Sequence, residues 1–410
     1  MKLTIRRGSH EIGGTCIQIV SGNRSILLDA GSPLCESRNE IDLAQLDFSD
    51  VFISHPHQDH FGLIENLPPD KTVHIGETAR QLIAATRVFL GKPPLANTFS
   101  PLRNREWVEL GPNFPVMPYL MDHSCVDAFG LLIEADGKRI YYTGDFRAHG
   151  RRKKAFEWFL ADPPRDIDLL LMEGTMIGRD NGAYPDEEAV EKGMLNVLRQ
   201  LDGRACFLIC SGQHIDRLCA AFSACIQAGR TFVTDIYTAY ILRTVADRFP
   251  SIPDINTARN LKVLTKGFTA GFHYQKLAEN RDFFGAFARD IFRPETMIDI
   301  AEIAAHPERY FLKISNFSDL LERLEQCGVI YSMWSGYLKE PKYQGIKQHP
   351  KVDFHEIHTS GHAVREDLQR LVTAVQAKRL VPVHTEHGDS YLALFGNSVV
   401  VLQDGETLEI

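Results

Sequence analysis

The sequence predicts an α/β protein in which helices cover a mostly parallel sheet and one domain is split in sequence by another. Three observations carry this. Apolar, strand-like runs alternate with amphipathic helical patterns through the middle of the chain. Tight-turn chemistry joins pairs of strands in the first third. Histidine-rich motifs sit in the first third and again near the C-terminus, with a motif-poor stretch between them.

The elements follow in order. TCIQIV and SILLDAG read as strands, with SGNR as the turn between them. ETARQLIAATRVFL carries apolar residues at helical spacing. GLLIEADGKRIYYTGD is a hairpin by its chemistry, because two β-rich runs flank Asp136-Gly137, a pair suited to a tight turn. DLLLMEGT, the helix DEEAVEKGMLNVLRQL, the strand CFLIC and the helix HIDRLCAAFSACI then alternate. TFVTDI leads into the helix YTAYILRTVADRF. Such a rhythm suits a mostly parallel sheet with helices on its faces. Residues 250–293 lack clear periodicity, and TSGHAVREDLQRL reads as a capped helix start.

The composition of the 410 residues is that of a globular chain: 44% hydrophobic, 24% charged and 10% aromatic. No apolar run reaches the roughly 18 residues of a membrane helix. The N-terminal MKLTIRRGSHEIGG lacks the apolar stretch of a secretory signal. Eight scattered cysteines without a CxxC pair read as buried thiols, and the expected location is the cytoplasm. The net charge of −8 weighs against a polyanionic partner, although two bound divalent cations would offset about half of it. The basic run RAHGRRKK, residues 147–154, has the solvated loop as its simple reading.

The chemistry is concentrated in VFISHPHQDHFG. An apolar strand ends and the chain presents His55, His57, Asp59 and His60. Neutral imidazoles and carboxylates are the donors that zinc and related divalent ions take. His55 and His57 can grip one ion from an extended turn, while Asp59 and His60 face a second as a helix begins. By composition alone, HxHxDH should arise on the order of 0.001 times in a chain this long. His123, Asp145 and His384 each follow an apolar strand, where a rigid sheet can hold loop side chains near a common point.

HxHxDH, DHS, TGD and the late PVH together resemble the metallo-β-lactamase fold, as do GSHEIGGTC and ILLDAG with Asp29. Glu173 in LLLMEGT, His358 and His362 in HTSGHA, and His384 in PVHTE narrow the resemblance to the β-CASP nucleases, particularly ribonuclease J. The resemblance implies an αββα sandwich, residues 1–184 and 351–410, with an inserted α/β β-CASP domain at 185–350. It implies one metal held by His55, His57, His123 and Asp145. A second would be held by Asp59, His60, Asp145 and His384, with Asp145 bridging. Zinc is the expected metal, with manganese or magnesium as alternatives. The implied reaction is hydrolysis of RNA phosphodiester bonds by a metal-bridging hydroxide, in exo- or endonucleolytic mode. Asp59 would orient the nucleophile, and Glu173 would orient a neighbouring histidine. His358 and His362 would contact the scissile phosphate or protonate the leaving oxygen, and Ser360 and Gly361 would approach the phosphate through their backbone. RNA is expected over DNA as the partner, with no membrane and with a homodimer allowed. Ribonuclease J carries a further C-terminal domain with no counterpart expected after the His384 segment.

Two other readings use the same residues. A metallo-β-lactamase-fold hydrolase of a small ester, thioester or lactone needs neither the inserted domain nor HxSGH. A non-catalytic nucleic-acid-binding relative should have lost metal ligands, whereas all seven candidates are present.

Overall fold

Leu169, Leu170, Leu171 and Met172 are all buried, and the layer they occupy explains why. In a strand, successive side chains point to opposite faces. Leu169 and Leu171 enter a core shared with Ile5, Ile17, Ile133 and Val381. Leu170 and Met172 enter another core, with Phe156, Phe159, Leu368 and Leu371. The strand is therefore covered by a sheet on one side and by helices on the other. The computed structural model describes residues 1–34, 41–111, 113–265 and 268–410.

Two compact units divide the chain. The first comprises Met1–Arg80, Leu95–Asp180 and Gly361–Ile410, and the second Gln81–Pro94 and Asn181–Ser360. The sequence boundaries at 184/185 and 350/351 differ from these edges. Val352–Glu356 pairs in parallel with Cys327–Tyr331, which carries the second unit past 350. The Ser360 amide donates to Asn181 Oδ1 at 3.0 Å, tying the unit's entry to its exit.

In the first unit, one sheet runs Thr407–Glu409, Lys2–Arg7, Cys16–Ser21, Arg24–Leu28, Asp50–Phe52, Thr72–Gly76, Thr98–Leu102. The other runs Arg379–Val383, Leu169–Glu173, Lys138–Tyr142, Phe129–Ala135, Pro115–Leu120, Val108–Glu109. The helices Lys154–Ala161 and Arg365–Val375 cover the outer face of this second sheet. The predicted hairpin forms as expected: Asp136 and Gly137 both adopt positive φ, at 51° and 69°, as a two-residue primed turn requires. The helix after HTSGHA begins at Arg365, and its N-cap position, Val364, makes no side-chain cap. The capped start expected of TSGHAVREDLQRL is corrected accordingly.

The second unit holds one sheet whose paired strands all run parallel. Its order is Met297–Ile298, Leu261–Leu264, Thr231–Thr234, Tyr310–Lys313, Ala205–Ile209, Cys327–Tyr331, Val352–Glu356. Helices Glu187–Gln200, Ile215–Gln227 and Ile236–Ala246 lie where the helical spacing places them. The stretch without periodicity contains the strand Leu261–Leu264, the helix Phe268–Glu279 and the short helices Arg281–Phe284 and Phe287–Asp290, the last two too brief to print a period. Among the described residues, no helix is long and apolar enough to cross a membrane.

Candidate metal centre

Asp50–Phe52 delivers the chain to the sheet edge, and His55 follows at once, wholly buried. His57 precedes the short helix Gln58–Phe61, which turns Asp59 and His60 inward. The loop is held from behind by backbone bonds: Thr15 N to Asp59 O at 3.1 Å, and Ala30 N to His60 O at 2.8 Å. Gly31 makes this approach possible, since a Cβ there would lie 1.7 Å from Asp59 O. The segments GGTC and DAG thus support the ligand loop, which explains their company with HxHxDH.

All seven expected ligands fall into two donor groups of the first unit. One holds His55, His57 and His123 together with Cys125, and the other holds Asp59, His60, Asp145 and His384. A third grouping joins Asp145 and His384 to Glu173 and His362. His57 Nδ1 lies 3.1 Å from both His55 Nε2 and His123 Nε2. That spacing suits nitrogens sharing one ion at about 2.0–2.1 Å. Burial lowers His57 to about 4 and holds His55 and His123 well below the usual imidazole range, so all three stand neutral, as ligands must.

Asp145 lies at the centre of this arrangement. Its side chain is almost fully buried, yet neither carboxylate oxygen has a hydrogen-bond partner. Imidazole nitrogens surround it: His60 Nε2 at 3.2 Å, His362 Nδ1 and His384 Nδ1 at 3.5 Å, and His55 Nε2 at 3.7 Å. A buried, unsatisfied carboxylate is costly unless a cation compensates it. The donor set, imidazoles with carboxylates, matches a divalent metal on chemistry as well as on geometry.

The supporting shell fixes ring orientation. The Asp29 carboxylate can only accept, so it takes a proton from His60 Nδ1 at 2.7 Å and turns Nε2 toward Asp145. Asp29 is itself held by Ser54 N at 2.7 Å, Ser54 Oγ at 2.8 Å and Tyr142 OH at 2.6 Å. Thr175 Oγ1 lies 2.9 Å from His384 Nδ1, and His384 Nε2 lies 3.2 Å from Asp59 Oδ2. Glu173, fully buried, accepts from Phe146 N at 3.2 Å and Thr175 N at 3.1 Å, and lies 3.3 Å from His362 Nδ1. Burial opposes a charge on His362, but Glu173 and Asp145 outweigh it and carry the ring up to about 9. His60 is raised in the same way, against burial, by Asp145, Asp29 and Asp59. The buried carboxylates thus demand positive charge, which protons or metal ions can supply.

Gly361 sits against this cluster, where a Cβ would come within 3.1 Å of Ser124 Oγ and 3.4 Å of His123 Cε1. His358 and Ser360 belong to the second unit, where Arg217 Nη1 lies 3.1 Å from His358 Nδ1. Sequence reading missed Cys125, although its HxC spacing from His123 was the available signal. It also missed Ser54, Tyr142 and Thr175, whose positions beside ligands emerge only from the fold. The basic run after Asp145 is only partly a solvated loop. Arg147 is wholly buried beside Asp122, and Arg152 Nη2 donates to His123 O at 2.9 Å and to Cys125 O.

Residues 11–168 match the metallo-beta-lactamase superfamily, and residues 351–392 match the Zn-dependent metallo-hydrolase RNA specificity domain. "Probable RNase MJ4" of Methanocaldococcus jannaschii is 29% identical over 223 residues, covering 49% of this chain and 51% of that protein. "Ribonuclease J" of Helicobacter pylori is 22% identical over 437 residues, covering 100% of this chain and 60% of that protein. A solved protein of unknown function from Enterococcus faecalis superposes with a TM-score of 0.79 at 19% identity, covering 99% of both chains. The chain spans about half to three fifths of the length of these curated relatives. With two sheets packed face to face, a separate parallel α/β unit within the chain and both domain matches in place, the chain resembles the metallo-beta-lactamase superfamily over residues 11–168 and is similar to ribonuclease J.

Proposed function

We propose that the protein is a metal-dependent ribonuclease that hydrolyses RNA phosphodiester bonds at the cluster centred on Asp145. The observation that carries this reading is the buried Asp145 carboxylate, without a hydrogen-bond partner and surrounded by four imidazole nitrogens. The RNA specificity match at 351–392 and the ribonuclease J relatives support RNA as the polymer. The sheet unit enclosed by residues 181–360 is the inserted β-CASP domain in this reading.

His55, His57 and His123 would hold one cation, and Asp59, His60, Asp145 and His384 another; Cys125 offers a further donor to the first. When bound, the two ions, zinc by this donor set with manganese or magnesium as substitutes, supply Lewis acidity and lower the pKa of an attacking water. Asp59 would orient that water. Glu173 engages His362 Nδ1, so a substrate phosphate is met by Nε2 of that ring. The small Gly361 lets the chain pass close to the donor cluster, and Ser360 and His358 supply further phosphate contacts. The enzyme works in the cytoplasm in this reading, and a homodimer is compatible with it.

The test is cleavage of end-labelled single-stranded RNA and matched DNA by metal-loaded protein, beside Asp59→Ala. Mononucleotides released from RNA alone, and lost in the variant, give a 5′-exoribonuclease. Internal fragments keep the nuclease and make it an endonuclease. No cleavage of either polymer at full metal occupancy refutes the proposal and favours a small-ester hydrolase.

A further inference from the structure

Arg217 is among the largest fully buried side chains of the described residues, yet it carries a full charge. It lies in the first turn of helix Ile215–Gln227. Each nitrogen of its guanidinium faces an acceptor. Nε meets Glu187 Oε2 at 3.1 Å, and Nη2 meets Glu187 Oε1 at 3.0 Å and Thr359 O at 3.1 Å. Nη1 meets Ser332 O at 3.0 Å, Ser332 Oγ, and His358 Nδ1 at 3.1 Å. Glu187 is equally buried, so the fork-to-fork pair cancels its charge inside the unit.

The place in the sheet is informative. After Ala205–Ile209 the chain crosses toward Thr231–Thr234, while after Cys327–Tyr331 it crosses the other way, toward Val352–Glu356. These neighbouring strands form the topological switch point, where open α/β sheets bind ligands beyond their carboxyl ends. Arg217 follows the first of these strands, Ser332 the second, and His358 closely follows Val352–Glu356.

A guanidinium has donors only, so at 3.1 Å the His358 Nδ1 must accept. The proton of a neutral ring then resides on Nε2. Protonating Nδ1 would break this bond and set two cations in contact. We infer that Arg217 is a positioning residue that locks His358 as the neutral Nε2–H tautomer, making it a hydrogen-bond donor to a phosphodiester oxygen and barring it from supplying the leaving-group proton. The phosphate role rests on the ribonuclease reading; the tautomer lock does not.

The experiment is long-range ¹H–¹⁵N correlation on labelled protein at neutral pH, with the His358 signals assigned by His358→Gln. The expected pattern is an unprotonated Nδ1 and a protonated Nε2. The double variant Glu187→Gln/Arg217→Met removes both members of the buried pair together, which spares the fold the cost of one unpaired charge. In it the ring should give an averaged tautomer pattern, KM for single-stranded RNA should rise about tenfold, and kcat should change less than about threefold. Arg217→Lys, which keeps a donor, should retain most of the Nε2–H form. A protonated Nδ1 in the wild type, or an unchanged tautomer in the folded double variant, overturns the lock. If wild-type protein cleaves no RNA, the ribonuclease reading fails while the nitrogen signals still decide the lock.

Discussion

The two units bury charge in opposite ways. In the second, Arg217 has acceptors on every side, supplied by Glu187, Ser332, His358 and Thr359. In the first, Asp145 is as deeply buried but has no hydrogen-bond partner for either oxygen. A satisfied buried charge has finished its bonding within the chain and serves to position its neighbours. An unsatisfied one has bonding capacity left for something from outside. Burial alone does not separate the two cases; the count of partners does.

The largest effect should come from Asp145→Ala. Activity on RNA should fall by at least about a thousandfold, some 4 kcal/mol of barrier, with metal content reduced by elemental analysis. In metal-free protein only the imidazolium forms of His60 and His362 compensate this carboxylate, so the metal-free variant should lose less stability than Arg217→Ala does. A loss as large as that of Arg217→Ala would break the contrast. Next in size, Arg217→Ala should cost about 3–5 kcal/mol in denaturant unfolding, since it removes the guanidinium that meets both oxygens of the buried Glu187. A cost near zero would show that water reaches the pair.

Asp29→Asn sharpens the comparison within the first unit. It keeps the shape but weakens the acceptor that orients His60, and metal affinity by titration calorimetry should fall about 10–100-fold. The smallest effect concerns pH. In metal-free protein His362 is raised from 6.5 to about 9, so its contribution is fully present below pH 6.5 and is lost as the pH climbs through about 9. Stability of metal-free protein should decline by about 3 kcal/mol across that window. Glu173→Gln removes the largest of the three carboxylate contributions and should flatten the slope; an unchanged slope would leave Asp145 and Asp59 as the cause.

Much of this was legible in the sequence, and what was not has a physical reason. HxHxDH could be read because metal chemistry needs particular donors at close spacing, and both requirements are local. The hairpin at Asp136-Gly137 could be read for the same reason, since positive φ is a demand on two residues. Arg147 and Arg152 could not: a run of basic residues carries no sign of which members turn inward to Asp122 or to the carbonyls of His123 and Cys125. The helix Glu77–Phe89 is amphipathic whichever unit its face serves, so the assignment of Gln81–Pro94 to the second unit was hidden. Arg217 was hidden too, because its acceptors are drawn from positions 187, 332, 358 and 359.

The strand Leu169–Glu173 lies between Lys138–Tyr142 and Arg379–Val383, and Lys2–Arg7 pairs with Thr407–Glu409. During synthesis, His55, His57, His123 and Asp145 therefore leave the ribosome long before His362 and His384 can join them. The intervening stretch 181–360 alone takes on the order of ten to forty seconds to translate, at about 5–20 residues per second. Through that interval the nascent chain holds the His55, His57, His123 set without the histidines that complete the second. The donor groups around Asp145 are therefore completed only by residues that follow the 181–360 stretch in the chain.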